Sequence, residues 1–178
     1  KSWKTASFFP AHDPEMNAYA VNQDRPVDVC FVGGFSRHHL HRTAVLDAIA
    51  GLRDQFDIRY FLDISRFTKI AEHRLAAFLP LGPYRRSNEI RSACRGPVFG
   101  RDYYKLLSNT KIVLNGSIDM AESERGNMRC FEAMGCGALL LSDDGHYPQG
   151  MKHKETMLAY SSPAEAVEIV TETLGNWI

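Results

Sequence analysis

Glu124 and Glu132 stand with seven residues between them, and within that interval Gly126-Asn127 opens a helical pattern that runs to Gly137. A helix that begins in a Gly-Asn turn points its first backbone N–H groups outward, where no carbonyl of the helix can take them. Such a terminus is a ready site for a phosphate. Glu132 falls about a turn and a half further in, where its carboxylate could accept both hydroxyl protons of a ribose diol. An anion cradle and a diol clamp on one helix imply a nucleotide, and the chain reads as a binder of sugar nucleotides.

Other residues could join that chemistry, and each has a plainer reading. Gly33-Gly34, followed by Phe35-Ser36, reads as a turn from strand to helix where a phosphate or sugar approaches the backbone, or as a tight turn with no ligand. It is not the G-x-G-x-x-G dinucleotide fingerprint. Arg37, His38, His39, His41 and Arg42 form a basic cluster that neutralises a diphosphate through one or two members, or simply faces water. His38 and His41 lie one turn apart, but no acidic or Cys partner is spaced to complete a metal set, so no metal is expected. Arg129, three residues before Glu132, either assists electrostatically or forms a surface ion pair with it. Main-chain groups at Phe99-Gly100 suit the edge of a nucleobase, with Phe99 or a Tyr against its face, or Phe99 and Tyr104 pack in the core. Asp143, Asp144 and His146 face a sugar or form an acidic turn.

These residues need a scaffold that brings them to one edge. Val27–Val32 is an apolar run that reads as a buried parallel strand. A helical pattern follows over residues 37–55, with Leu40, Ala44, Val45, Ala48, Ile49 and Leu52 on one face. Further strands are expected at Asp57–Leu62, Gly96–Phe99, Lys111–Leu114, Ala138–Ser142 and Thr156–Tyr160. Helices are expected at Asp102–Ser108 and, behind a Ser162-Pro163-Ala164-Glu165 start, to Leu174. Between Ser65 and Arg95 the only helical suggestion is Leu75–Leu79, broken by Pro80 and Gly82-Pro83. Alternation at this spacing predicts an α/β fold, a Rossmann-like doubly wound and mostly parallel sheet. Residues 1–26 read as an extended lead-in with at most a short strand at Ser7–Phe9, and 27–178 as the binding domain.

Composition narrows the class. Lys plus Arg and Asp plus Glu are 21 each, which leaves no global field to recruit nucleic acid. No apolar run approaches the ~20 residues of a transmembrane helix, and no export signal is visible. Cys30, Cys94, Cys130 and Cys136 form no C-x-x-C pair, which favours free thiols and a cytoplasmic setting.

With those residues in view, Val29–Arg42 and Pro97–Asp143 resemble the C-terminal half of GT-B glycosyltransferases. They are closest to the "glycosyl transferases group 1" sequences that include spore-maturation CgeB-like proteins. The resemblance rests on Asp28–Gly34, Gly100–Tyr104, Lys111–Asn115 and above all Gly126–Asp143. It implies a donor-binding domain for a UDP- or GDP-sugar, with no separate cofactor, acting on an acceptor hydroxyl that the sequence does not specify. By position, Glu124 becomes the carboxylate that meets the donor sugar and Glu132 the one that holds ribose. The donor set is then Gly33, Gly34, Ser36, Arg37, Phe99, Gly100, Asn115, Gly126, Asn127, Met128 and Glu132, with Glu124 and Arg129 as catalytic candidates. Arg125-Gly126-Asn127 replaces the family's Gly-aromatic-Gly, and Gly34 stands where many members carry a diphosphate-gripping Arg. Arg37, the His cluster or Arg129 would substitute. The resemblance also implies a missing N-terminal domain that binds acceptor, making this chain a fragment of a two-domain protein. Two other classes remain open: a scaffold module that binds nucleotide without transfer, and an epimerase-like enzyme on the same fold.

Overall fold

The computed structural model describes residues 13–36, 38–76, 78–117 and 123–177. Six strands form one sheet in the order β3-β2-β1-β4-β5-β6, and every pairing is parallel. They are β1 (Val27–Phe35), β2 (Ile58–Ile64), β3 (Cys94–Arg95), β4 (Thr110–Leu114), β5 (Leu139–Asp143) and β6 (Leu158–Tyr160). Strand side chains alternate between two cores, as the period of two demands. Val29, Phe31, Ile112, Leu114 and Leu141 pack under helices α2 (Leu40–Ala50) and α7 (Pro163–Gly175). Cys30, Val113 and Leu140 pack under α5 (Gly100–Ser108) and α6 (Met128–Gly135). With both faces covered, the central strands carry continuous apolar runs, Val29–Val32 in β1, Ile112–Leu114 in β4 and Leu139–Leu141 in β5, which is what makes them legible as strands.

Several sequence expectations are corrected. The first strand does not turn at Gly33-Gly34; it continues, pairing Gly33 with Leu62, Gly34 with Asp63 and Phe35 with Ile64. Pairing of β1 with β4 ends at Phe31 and Leu114, so the last residues of β1 have one open edge above the point where strand order reverses. The following helix begins at Leu40, which is 73% exposed rather than part of the core stripe. The expected strand at Gly96–Phe99 is the two-residue β3 just before it, and Pro97, which has no N–H, cannot extend the ladder.

In the lead-in, Pro14–Met16 form a 3-10 turn and Asn17–Ala20 a one-turn helix, α1, where an extended run was expected; Ser7–Phe9 lies outside the described residues. Met16 is buried in the second core. Arg25 fixes this segment by donating to the carbonyls of Leu107 in the last turn of α5, of Thr110 at the start of β4 and of Cys136, the C-cap of α6.

Between Ser65 and Arg95 two short helices form, α3 (Arg66–Ala71) and α4 (Asn88–Ala93). Each is capped by a serine, Ser65 accepting from the Thr68 amide and Ser87 from that of Ile90. The helix expected at Leu75–Leu79 is only a 3-10 turn, Arg74–Ala76. Glu72 joins the two helices through a two-point pair with Arg86, at 2.6 and 2.7 Å. Burial pushes the Glu72 carboxyl up, but the bonds from Arg86 outweigh it and hold the group below its usual value. That stabilisation is therefore present above about pH 4.3, the unfolded value, and is lost as pH falls through the lower folded value. Melting temperature measured from pH 6 downward to about pH 3 is expected to fall less steeply in Glu72→Gln than in the parent chain.

Candidate functional site

The loop that leaves β4 (Asn115, Gly116 and Ser117), residues 124–127 and the start of α6 line a cavity of about 580 Å³. One wall is the start of α6, and its construction explains why that start is open. Gly126 holds φ +99°, and a Cβ there would lie 2.6 Å from the Pro148 ring, so only glycine makes this turn. Asn127 is the N-cap, with φ −64° and ψ 165°, yet its side chain makes no cap hydrogen bond. Instead its Nδ2 donates to Asn115 Oδ1 at 3.2 Å. The amides of Met128 and Arg129 are thus without a partner among the described residues, on the cavity wall where an anion would meet them.

Asn115 organises this end of the sheet. It is buried, its backbone is held between Leu141 and Tyr160, and its Nδ2 donates to Ser142 Oγ at 2.9 Å. Its Oδ1 also accepts from Arg129 Nη1 at 3.3 Å. The Arg129 guanidinium lies 5.5 Å from the centre of the buried Phe31 ring, and its Nε is buried with no hydrogen-bond partner. No ion pair joins Arg129 to Glu132 among the described residues, so the plain surface-pair reading does not hold. Arg129 instead brings a half-buried cation with spare donor capacity to the cavity.

Arg42 was part of the basic cluster but was not singled out. It reaches back from the first turn of α2, donates to Gly34 O at 3.2 Å, and sits 5.9 Å from the centre of the Phe31 ring. A Cβ at Gly116 would meet its side chain at 3.1 Å. The cavity is thereby bordered by Arg42 and Arg129 together. The hint available in the sequence was its place one turn into α2, on the side that faces the strand ends. Arg37 lies outside the described residues. His41 lies against the Tyr160 ring. Ser36 borders neither cavity of the site; its hydroxyl accepts from the His38 amide and shapes the loop.

Glu132 is half-buried and borders both this cavity and a second one of about 360 Å³. Its Oε2 accepts from Tyr103 OH at 2.8 Å. Burial first, and the Glu132 charge second, push the Tyr103 hydroxyl well above the ordinary tyrosine value, so it remains a donor. That contact fixes the carboxylate and leaves Oε1 with no donor among the described residues. The second cavity is bounded by Gly33, Gly34, Asp63, Phe99 and Gly100. Gly100 takes φ +60°, and Phe99 is 75% exposed at its mouth rather than packed in the core. A Cβ on Gly33 would press on the Phe31 ring at 3.1 Å and approach Arg129 at 3.5 Å, so glycine keeps room at this junction.

Glu124 lies at the rim of the first cavity with its side chain 81% exposed, 3.5 Å from His146. Its backbone is pinned to the segment after β5, because Arg125 N donates to His146 O and His146 N to Ser123 O. Asp143 is a structural acid: it is buried, pairs with Arg125 Nε at 2.7 Å and accepts from the Ser117 amide at 3.0 Å. Arg125 and Asp143 therefore join two lips of the cavity, a contact that sequence reading missed. Glu124 and Glu132 border one cavity, whose lining also includes Arg42, Arg125 and Arg129 and the start of α6.

The sequence pattern of the family described as glycosyl transferase-like matches residues 59–176. Among solved structures, the chain is similar to the C-terminal domain of a glycosyl transferase group 1 family protein, LpcC, from Francisella tularensis. That likeness has 13% identity and a TM-score of 0.53, and covers 95% of this chain and 86% of that one. It is also similar to AviGT4, a glycosyltransferase involved in avilamycin A biosynthesis, at 18% identity and a TM-score of 0.53, over 95% of this chain. The chain spans 49% of the AviGT4 chain. At these identities the likeness shows a shared fold, that of a GT-B C-terminal domain. Among curated proteins none matches.

Proposed function

Because the chain belongs to the glycosyl transferase-like family, we propose that it is the half of a glycosyltransferase that holds a nucleoside-diphosphate sugar, with UDP or GDP as the carrier. The observation that carries this reading is the pair of adjoining cavities that share Arg129 and Glu132 as their common wall. A base would enter the smaller cavity beside Phe99 and Gly100, its ribose diol would donate to Glu132, and the diphosphate would lie in the larger cavity against the Met128 and Arg129 amides. When the anomeric C–O bond breaks, charge gathers on the diphosphate. The helix amides, Arg129 and Arg42 are already oriented to stabilise it, which is how electrostatic preorganisation accelerates transfer. Glu124, at the rim, would meet the sugar. The acceptor hydroxyl and the groups that bind it belong to the whole enzyme.

Calorimetric titration of the chain with UDP, GDP and ADP tests this reading. One of the first two is expected to bind with micromolar affinity, and ADP much more weakly. Absence of heat with all three at millimolar concentration would contradict the assignment.

A further inference from the structure

Five of the ten large apolar side chains exposed among the described residues fall between Phe67 and Leu79. Phe78 is 97% exposed and Leu75 84%, and Ile70, Leu75 and Leu79 border a shallow groove of about 390 Å³. Such a cluster, unlike scattered single residues, marks a surface that meets something. Arg85 donates to the carbonyls of Ala71, Ala76 and Leu79, which ties the backbone of this segment at three points.

Within residues 66–79 the exposed formal charge has one sign. Arg66, Lys69 and Arg74 are exposed and form no ion pair among the described residues. The one acid between residues 66 and 79, Glu72, is turned inward onto Arg86 with 11% of its side chain exposed. A chain with 21 basic and 21 acidic residues thus concentrates unopposed positive charge beside its exposed apolar cluster.

We propose that Ile70, Leu75, Phe78 and Leu79, with Arg66, Lys69 and Arg74, form a peripheral docking surface for an anionic lipid bilayer. Phe78 and Leu75 enter the boundary between headgroups and acyl chains, while Arg66, Lys69 and Arg74 meet lipid phosphates. A second copy of the chain is the poorer occupant, because pairing the patch with itself would set three cations against three. In the chain the segment follows directly on β2, whose Asp63 borders the smaller cavity, yet its groove shares no lining residue with either cavity of the site. The inference is independent of which nucleotide the cleft takes.

Flotation with vesicles of phosphatidylcholine alone, and of phosphatidylcholine mixed with phosphatidylglycerol, tests it. The chain is expected to float with the mixed vesicles only, and to be released by high salt. Arg66→Glu/Lys69→Glu/Arg74→Glu is expected to lower binding on the order of a hundredfold, and Leu75→Ser/Phe78→Ser by at least about tenfold. Phe78→Ser alone, at the most exposed position, serves should the double variant not fold. Diphosphate affinity, read on the same samples, is expected to be unchanged. The proposal is overturned if the parent chain stays in the soluble fraction with mixed vesicles, or if all variants float equally well. It is equally overturned if the apolar substitutions abolish a dimer rather than vesicle binding.

Discussion

Replacing Glu132 with alanine is expected to weaken binding of the preferred nucleoside diphosphate by about a hundredfold, the equivalent of roughly 3 kcal/mol. Two ribose hydroxyls donating to a carboxylate contribute about 1.5–3 kcal/mol each when fully formed, and the half-buried setting of Glu132 places the sum toward the lower end. The loss separates into parts that can be measured. Glu132→Gln keeps one acceptor oxygen in place of two, so that oxygen serves either Tyr103 or the ribose while the NH2 only donates, and the variant is expected to lose about half as much free energy. Inorganic pyrophosphate, which has no diol, should bind Glu132→Ala at least as well as the parent, since a nearby negative charge is gone. A fall in pyrophosphate affinity as large as that for the nucleotide would mean that the substitution had disturbed the start of α6 rather than a ribose contact.

The largest stability effect is expected at Asp143. Its carboxylate is 6% exposed and its partner Arg125 12% exposed. Removing one member of such a pair strands the other as an uncompensated buried charge, at a cost of about 3–5 kcal/mol. For a domain of this size that is a fall in melting temperature on the order of 10 °C in Asp143→Ala. The amide and hydroxyl of Ser117 lose their acceptor as well. Asp143→Asn retains an acceptor for Ser117 and should fall between the two. Combining Asp143→Leu with Arg125→Met removes both charges and is expected to recover much of the loss. If the double variant is as unstable as the sum of the single ones, the pair is not what holds the cavity's lips together.

The parts of the fold that sequence revealed are those whose signal is local. The core strands β1, β4 and β5 are buried on both faces, so their apolar runs identify them without knowledge of their neighbours. The helix α6 was legible because a Gly-Asn start and a Gly137 exit bracket it, and Gly126 and Gly137 both take positive φ. The segment from Ser65 to Arg95 was not legible, because helices of six residues show too little period and are fixed by capping serines and the Glu72–Arg86 pair. The extension of β1 through Gly33-Gly34 was hidden for a related reason. Glycine reads as a turn, whereas here it sits in a ladder and makes space for Arg129 beside Phe31.

In the site, the residues carried by one continuous motif were found together: Gly126, Asn127, Met128, Arg129 and Glu132 border one cavity. Contacts between distant parts of the chain were not. Tyr103 lies 29 positions from Glu132, and nothing in that spacing signals that its hydroxyl fixes the carboxylate. Arg42 reaches the cavity from another helix, through contacts with Gly34 and Phe31 that no spacing rule encodes.

A crystal structure of the chain with its preferred nucleoside diphosphate tests the account most directly. The diphosphate oxygens are expected within about 3 Å of the Met128 and Arg129 amides, with both ribose hydroxyls on Glu132. A nucleotide bound elsewhere, or bound in this cleft with Glu132 turned away from the ribose, would contradict it.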